Sequence, residues 1–110
     1  MLEVPSAYMV VQIEVKNFDD YLSRYATPVI DQLRACGAEI LVASRNPLVL
    51  EGSWPANWTV VIRFPSLTTA QAWYDSIEYR PLKDLRIREL TNGGSAIFVE
   101  GFNPVALGIA

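Results

Sequence analysis

Between Tyr8 and Val15 the chain alternates, with Met9, Val11, Ile13 and Val15 on one side and Tyr8, Val10, Gln12 and Glu14 on the other. A period of two with one wholly apolar side predicts a β-strand packed on a core. Asn17 then offers a side-chain cap with Asp20 three positions on, which predicts a helix start. The stripe that follows is Leu22, Tyr25, Val29, Leu33 and Cys36, spaced by three and four. Pro28 stands inside it and predicts a kink or break near Thr27. Gly37 predicts the helix end.

Further on, Glu39 to Ala43 reads as a short strand, Ser44 to Pro47 as a turn, and Leu48 to Glu51 as a second short strand. Gly52 to Asn57 is a loop. Trp58 to Phe64 alternates again, with Trp58, Val60, Ile62 and Phe64 on one face. Pro65 stops that strand, and Ser66 is placed to cap a helix with the stripe Leu67, Ala70, Trp73 and Ile77. Pro81 suits the first turn of another short helix carrying Leu82, Leu85 and Leu90. Asn92-Gly93-Gly94 turns the chain into a last strand, Ser95 to Glu100. The order is two βαβ-like halves, which predicts an α+β, ferredoxin-like split β-α-β fold: a four-stranded antiparallel sheet with its helices on one face. Residues 1–110 make a single domain, 8–100 as core and 101–110 as an apolar C-terminal tail. The helix-free face still carries Tyr8, Val10 and Val61, so a homodimer joined through its sheet faces is expected, with Val105, Ala106 and Leu107 clasping the partner.

Composition narrows the function. At 110 residues, 51% apolar and 19% charged, the chain holds one real core and is not disordered. A net charge of −3 argues against nucleic acid as partner. No apolar run nears the roughly 20 residues of a membrane span. Met1 to Pro5 lacks the basic and apolar regions of a signal peptide, so the expected location is cytoplasmic. With no histidine and one cysteine, His-based triads, His metal sites, proximal-His haem ligation and multi-cysteine clusters are excluded. No metal ligands and no cofactor are therefore expected. Cys36 closes an apolar stripe and reads as a small core residue.

The runs Glu51-Gly52-Ser53-Trp54-Pro55, Val60-Val61-Ile62-Arg63-Phe64-Pro65-Ser66, Ala72-Trp73-Tyr74-Asp75-Ser76 and Glu78-Tyr79 through Arg86 resemble the bacterial family known as domain of unknown function 1330. That family lies within the dimeric α+β barrel superfamily. The resemblance spans about Tyr8 to Glu100. It implies a ferredoxin-like monomer that dimerises through its sheets and assigns no reaction. Superfamily relatives include cofactor-free monooxygenases, muconolactone-isomerase-like enzymes and haem-binding proteins. The family's usual acidic residue before Phe-Pro is replaced here by Arg63.

A cofactor-independent enzyme is the first functional expectation. It would run proton-transfer or enolate chemistry, monooxygenase-, isomerase- or cyclase-like, on an aromatic or polyketide-like substrate. Without histidine, the acid–base group has to be a carboxylate or tyrosine. Glu14 and Glu51 are the candidate bases, and Arg63 and Arg86 the candidate electrostatic stabilisers. Glu14 and Arg63 fall on adjacent antiparallel strands, where they pair or line one cavity. Arg86 either holds a carboxylate or enolate, or forms a helix-end salt bridge to Asp75 or Glu89. Tyr25, Trp54, Tyr74 and Tyr79 are the candidate substrate-binding residues, with Tyr21 on the same helix face as Tyr25. Trp54 stands in a loop, as a pocket wall, a dimer anchor or a plug over the core. The alternative is a non-catalytic homodimer that binds a small apolar or aromatic ligand.

Overall fold

The computed structural model describes residues 4–109. Met1, Leu2, Glu3 and Ala110, which belong to the N-terminal and tail readings above, lie outside the described residues. The strands are β1 (Ala7–Val15), β2 (Glu39–Ser44), β3 (Trp58–Phe64) and β4 (Thr91–Glu100). They form one antiparallel sheet in the order β2-β3-β1-β4. This is the ferredoxin-like α+β fold that the alternation predicts. Register puts Met9 opposite Ile62 and Phe98, and Val11 opposite Val60 and Ala96. These residues and their neighbours of the same parity form the helix-covered face.

The first helical region has three parts: α1 (Phe18–Tyr21), a π-helical turn (Leu22–Ala26) and α2 (Thr27–Ala35). Asn17 caps it, its side chain accepting from the Asp20 N–H at 3.0 Å. The expected break at Pro28 takes the form of that wide turn. Proline has no N–H to give and its ring crowds the carbonyl four residues back. The chain accommodates it with one extra residue in the preceding turn. Thr27 donates to the Leu22 carbonyl from its backbone and, at 2.9 Å, from its hydroxyl. Widening the turn changes which residue faces inward. Tyr21 is buried at 5% exposure, and Leu22, which the even stripe assigns to the core, is 44% exposed. Gly37, at φ +79°, ends α2 with Gly37 N–H on Arg34 O and Ala38 N–H on Leu33 O.

The second helical region repeats the device. Ser66 caps α3 (Leu67–Tyr74) by accepting from Thr69 N–H. Next come α4 (Arg80–Leu85), with Pro81 in its first turn, and a second π-helical turn, Arg86–Leu90. That turn buries Arg86 and Leu90. The Thr91 hydroxyl closes it by donating to Arg86 O at 2.8 Å.

Three local expectations are corrected. Leu48 to Glu51 is not a strand: no sheet edge pairs with it, and Leu48 and Leu50 stand exposed. Ile77 lies past the end of α3, which stops at Tyr74, and is exposed. β4 begins at Thr91 rather than Ser95, because Gly93 and Gly94 are part of the strand and not a turn before it. A Cβ at Gly94 would come within 2.6 Å of Ile13 Cα and closer still to Gln12 O, so only glycine lets β4 approach β1 there.

The other sheet face carries Tyr8, Val10, Gln12, Thr59, Val61, Arg63, Ile97 and Val99, and among the described residues no helix lies over it. Among the described residues, no helix is long and apolar enough to cross a membrane.

Candidate functional site

Beneath α1, the first π turn and α2, a cavity of about 220 Å³ lies against the helix-covered face of β1 and β3. Its walls are apolar and aromatic, with Val11, Val60, Trp58, Tyr21, Tyr25 and Val29 among them. Among the described residues, one charged side chain reaches it, that of Arg86. The two π turns deliver Tyr25 and Arg86 to it, and α1 delivers Tyr21.

Tyr25 and Tyr79, 54 positions apart in the chain, share a hydrogen bond between their hydroxyls at 2.5 Å. Tyr79 is fully buried and packs at 4.2 Å centroid distance on Trp73 and 5.5 Å on Tyr74. The Trp73 indole N–H donates to Gln32 Oε1 at 3.0 Å, and Gln32 in turn donates to Glu78 O. The aromatic block is thereby tied to α2. Ser76 fixes the start of the Tyr79 turn, accepting from Tyr79 N–H at 3.1 Å.

Arg86 is 8% exposed. Among the described residues no carboxylate lies within salt-bridge distance of its guanidinium. Glu89, a partner considered on sequence grounds, bonds Arg24 instead at 2.6 Å, and Arg24 also holds Asp20 at 3.0 Å. Burial works against the Arg86 charge, but the Tyr79 and Tyr25 hydroxyls facing it outweigh that and hold its pKa above the ordinary value. Burial pushes the Tyr21 hydroxyl up to about 12, with Arg86 pulling the other way. Tyr25 is raised well above 10, first by burial and then by Tyr79. At neutral pH the site is therefore one fixed cation beside protonated phenols, which donate hydrogen bonds. Such a site stabilises negative charge on a bound molecule.

The other candidates are dispersed. Tyr74 borders the neighbouring hollow with Lys83 Nζ 4.5 Å above its ring. Trp54 is not at the cavity: its indole N–H donates to Thr59 Oγ1 at 2.9 Å, on the helix-free face. Glu51 is exposed in the 45–57 loop. Glu14 and Arg63 do not meet. Register sets Arg63 opposite Tyr8, at the far end of the strand pair from Glu14. Six residues of strand separate them, roughly 20 Å. Arg63 bonds Glu39 at 3.0 Å instead. Neither Glu14 nor Glu51 lines the cavity, and among its described lining residues there is no aspartate or glutamate.

Of the residues singled out by sequence, the structure brings together Tyr25, Tyr79 and Arg86; Trp58 and Trp73, both on the cavity wall, have no site role in the sequence reading. Each sits on a strand or helix stripe, and that periodicity reads as core.

The family model described as "Domain of unknown function (DUF1330)" matches residues 6–102. The chain belongs to that family. DUF1330 thus covers the whole sheet and both helical regions. No curated protein matches the chain. Among solved structures, it is similar to a protein of unknown function from Rhodopseudomonas palustris: TM-score 0.73, 12% identity, 91% of this chain and 85% of that one covered. A Nitrosomonas europaea protein, provisionally described as an antibiotic biosynthesis monooxygenase, aligns at TM-score 0.65 and 11% identity, over 94% of this chain and 97% of its own. A dabb family protein with a ferredoxin-like fold from Mesorhizobium loti aligns at TM-score 0.51 and 8% identity, over 90% and 99%. At these identities the likeness establishes the shared fold alone.

Proposed function

We propose that this DUF1330 protein is a small-molecule enzyme that binds an enolisable, ring-bearing substrate in the cavity and stabilises its enolate on Arg86. One observation carries the reading: a buried guanidinium without a carboxylate partner among the described residues, at the wall of an apolar cavity. A buried charge is costly unless paired. An anionic ligand supplies the pair, and the Tyr25 hydroxyl on the cavity wall can donate to it while accepting from Tyr79. A cavity of about 150 Å³ accepts benzene, so about 220 Å³ fits one ring with short substituents. The similarity to a protein described as an antibiotic biosynthesis monooxygenase is compatible with this reading.

A second reading, binding without turnover, is favoured by one specific observation: among the described residues, the cavity wall supplies no carboxylate base. Titration with 1-phenylbutane-1,3-dione, followed by quenching of tryptophan fluorescence, tests both. Saturable binding that Arg86→Met weakens at least tenfold supports the site. Disappearance of the enol absorbance in air-saturated buffer, dependent on the protein, supports an enzyme; an unchanged probe supports the binder. Absence of binding rejects both.

The helix-free sheet face supports a homodimer as the working assembly. Ile97 and Val99 are 53% and 42% exposed there beside Tyr8, Val10 and Val61. Covering such a face in two copies buries on the order of 2,000 Å² in total, as obligate dimers do.

A further inference from the structure

Arg86 borders two hollows. Besides the cavity under α2, it lines a second of about 320 Å³, between the start of β4 and the second π turn, walled by Tyr74, Ile87, Thr91, Gly93 and Gly94. Ala96 borders both as well. Its methyl group stands on the helix-covered face of β4, opposite Val11. The two residues shared by both hollows, Ala96 and Arg86, mark the waist between them.

The hollows differ in chemistry. The first is hydrocarbon and aromatic around the Arg86 charge. The second is bordered by a hydroxyl residue, Thr91, and by two glycines, Gly93 and Gly94. A Cβ built at Gly93 meets nothing within 4 Å, so that end stands open. A ligand whose charge is terminal fills the first hollow and leaves the second unused. A ligand whose charge is internal uses both.

Resting on the function proposed above, we infer that the ligand is bipartite: its anion is an internal 1,3-dicarbonyl enolate held at Arg86, with a ring in the first hollow and a polar arm passing Ala96 into the second. The enolate oxygens meet the guanidinium at the junction. The arm runs along Thr91 and the glycine backbone.

Calorimetric titration of three probes tests this: benzoate, 1-phenylbutane-1,3-dione, and N-(2-hydroxyethyl)-3-oxo-3-phenylpropanamide, which adds the polar arm. The wild type is expected to bind the armed probe at least tenfold tighter than the dione, and benzoate most weakly. Ala96→Leu narrows the waist, and Ile87→Trp fills the second hollow from an exposed position (Ile87 is 54% exposed) without disturbing the core. Both should abolish the tenfold advantage, and Ile87→Trp, which lies outside the first cavity, should leave dione affinity within twofold; should Ala96→Leu fail to fold, Ile87→Trp decides. Equal affinity for dione and armed probe, tightest binding of benzoate, or an advantage that survives the surface variant overturns the bipartite ligand while leaving the anion site standing. Failure of all three probes to bind the wild type rejects the anion site itself, and the bipartite ligand with it.

Discussion

Arg24 reaches Glu89 at 2.6 Å across 65 positions of chain, joining the two π-helical turns at their exposed edge. The bond has an inward consequence: Glu89, three positions from Arg86 in sequence, is held by another cation. Arg86 is left among phenols and hydrocarbon.

Replacing Arg86 with methionine should therefore separate stability from binding. Removing a buried cation that lacks an acidic partner is neutral or stabilising by about 1–3 kcal/mol when the replacement packs. Chemical denaturation should show an unchanged or raised midpoint while affinity for anionic probes collapses. A stability lowered by several kcal/mol would mean that the charge is compensated in the fold, and the site reading would fail.

The Tyr25–Tyr79 bond makes a testable unit. Either Tyr→Phe change leaves one buried hydroxyl without its partner and should cost about 1–2 kcal/mol. The double change removes both hydroxyls, so it should cost less than the two single changes added together. A double-mutant cycle in urea measures the coupling, expected near 1 kcal/mol. Strict additivity would show that the bond contributes nothing.

Alkaline stability follows from the raised phenols. An unfolded tyrosine loses its proton near pH 10, whereas folded Tyr21 holds its own until about 12. Above pH 10 the unfolded chain binds fewer protons, so stability falls as pH rises. The contribution is complete below pH 10 and is lost progressively between 10 and 12, at about 1.4 kcal/mol per pH unit for each such group. Tyr25 extends the loss to higher pH. Denaturant midpoints should stay flat from pH 7 to 9 and decline beyond 10, with Tyr21→Phe declining less steeply.

Gly93 and Gly94 share a positive φ, of +102° and +135°, but differ in surroundings. Gly93→Ala meets open space and should cost about 1 kcal/mol of backbone strain. Gly94→Ala must push against β1 at Ile13 and should cost about 3 kcal/mol or more. Thermal melts of the pair read the difference directly.

Val61→Asp, on the helix-free face, should place an unpaired charge in the proposed dimer interface. Sedimentation of the wild type is expected near 25 kDa, twice the 12.3 kDa chain, with the variant shifted to monomer. A well-folded wild-type monomer at micromolar concentration would refute the dimer.

The sheet was legible because alternation on β1 and β3 is complete, and caps at Asn17 and Ser66 announce their helices by side-chain chemistry that acts locally. The π turns were not legible. A one-residue widening at Leu22–Ala26 leaves the apolar spacing almost unchanged, so only the exchange of Leu22 for Tyr21 betrays it. For the site, Tyr25 and Arg86 stood out as polar groups on apolar stripes. Pairing Glu14 with Arg63 failed for a different reason. Neighbouring strands are implied by element order, but the position along them depends on register, which turns and bulges set in three dimensions. Leu48 to Leu50 misled because an apolar run predicts a strand only where an edge exists to receive it.

Pro28 also bears on how the cavity behaves when empty. A hollow beneath a helix closes when the helix above can settle into it. Here, settling means restoring regular α-helix through Leu22–Ala26, which would drive the Pro28 ring against a carbonyl one turn earlier, at about 3 kcal/mol. The wide turn is the cheaper shape, so the roof stays arched between visits. A ligand then enters a chamber already standing. Its arrival rate should track concentration linearly, without the plateau that a slow opening step imposes.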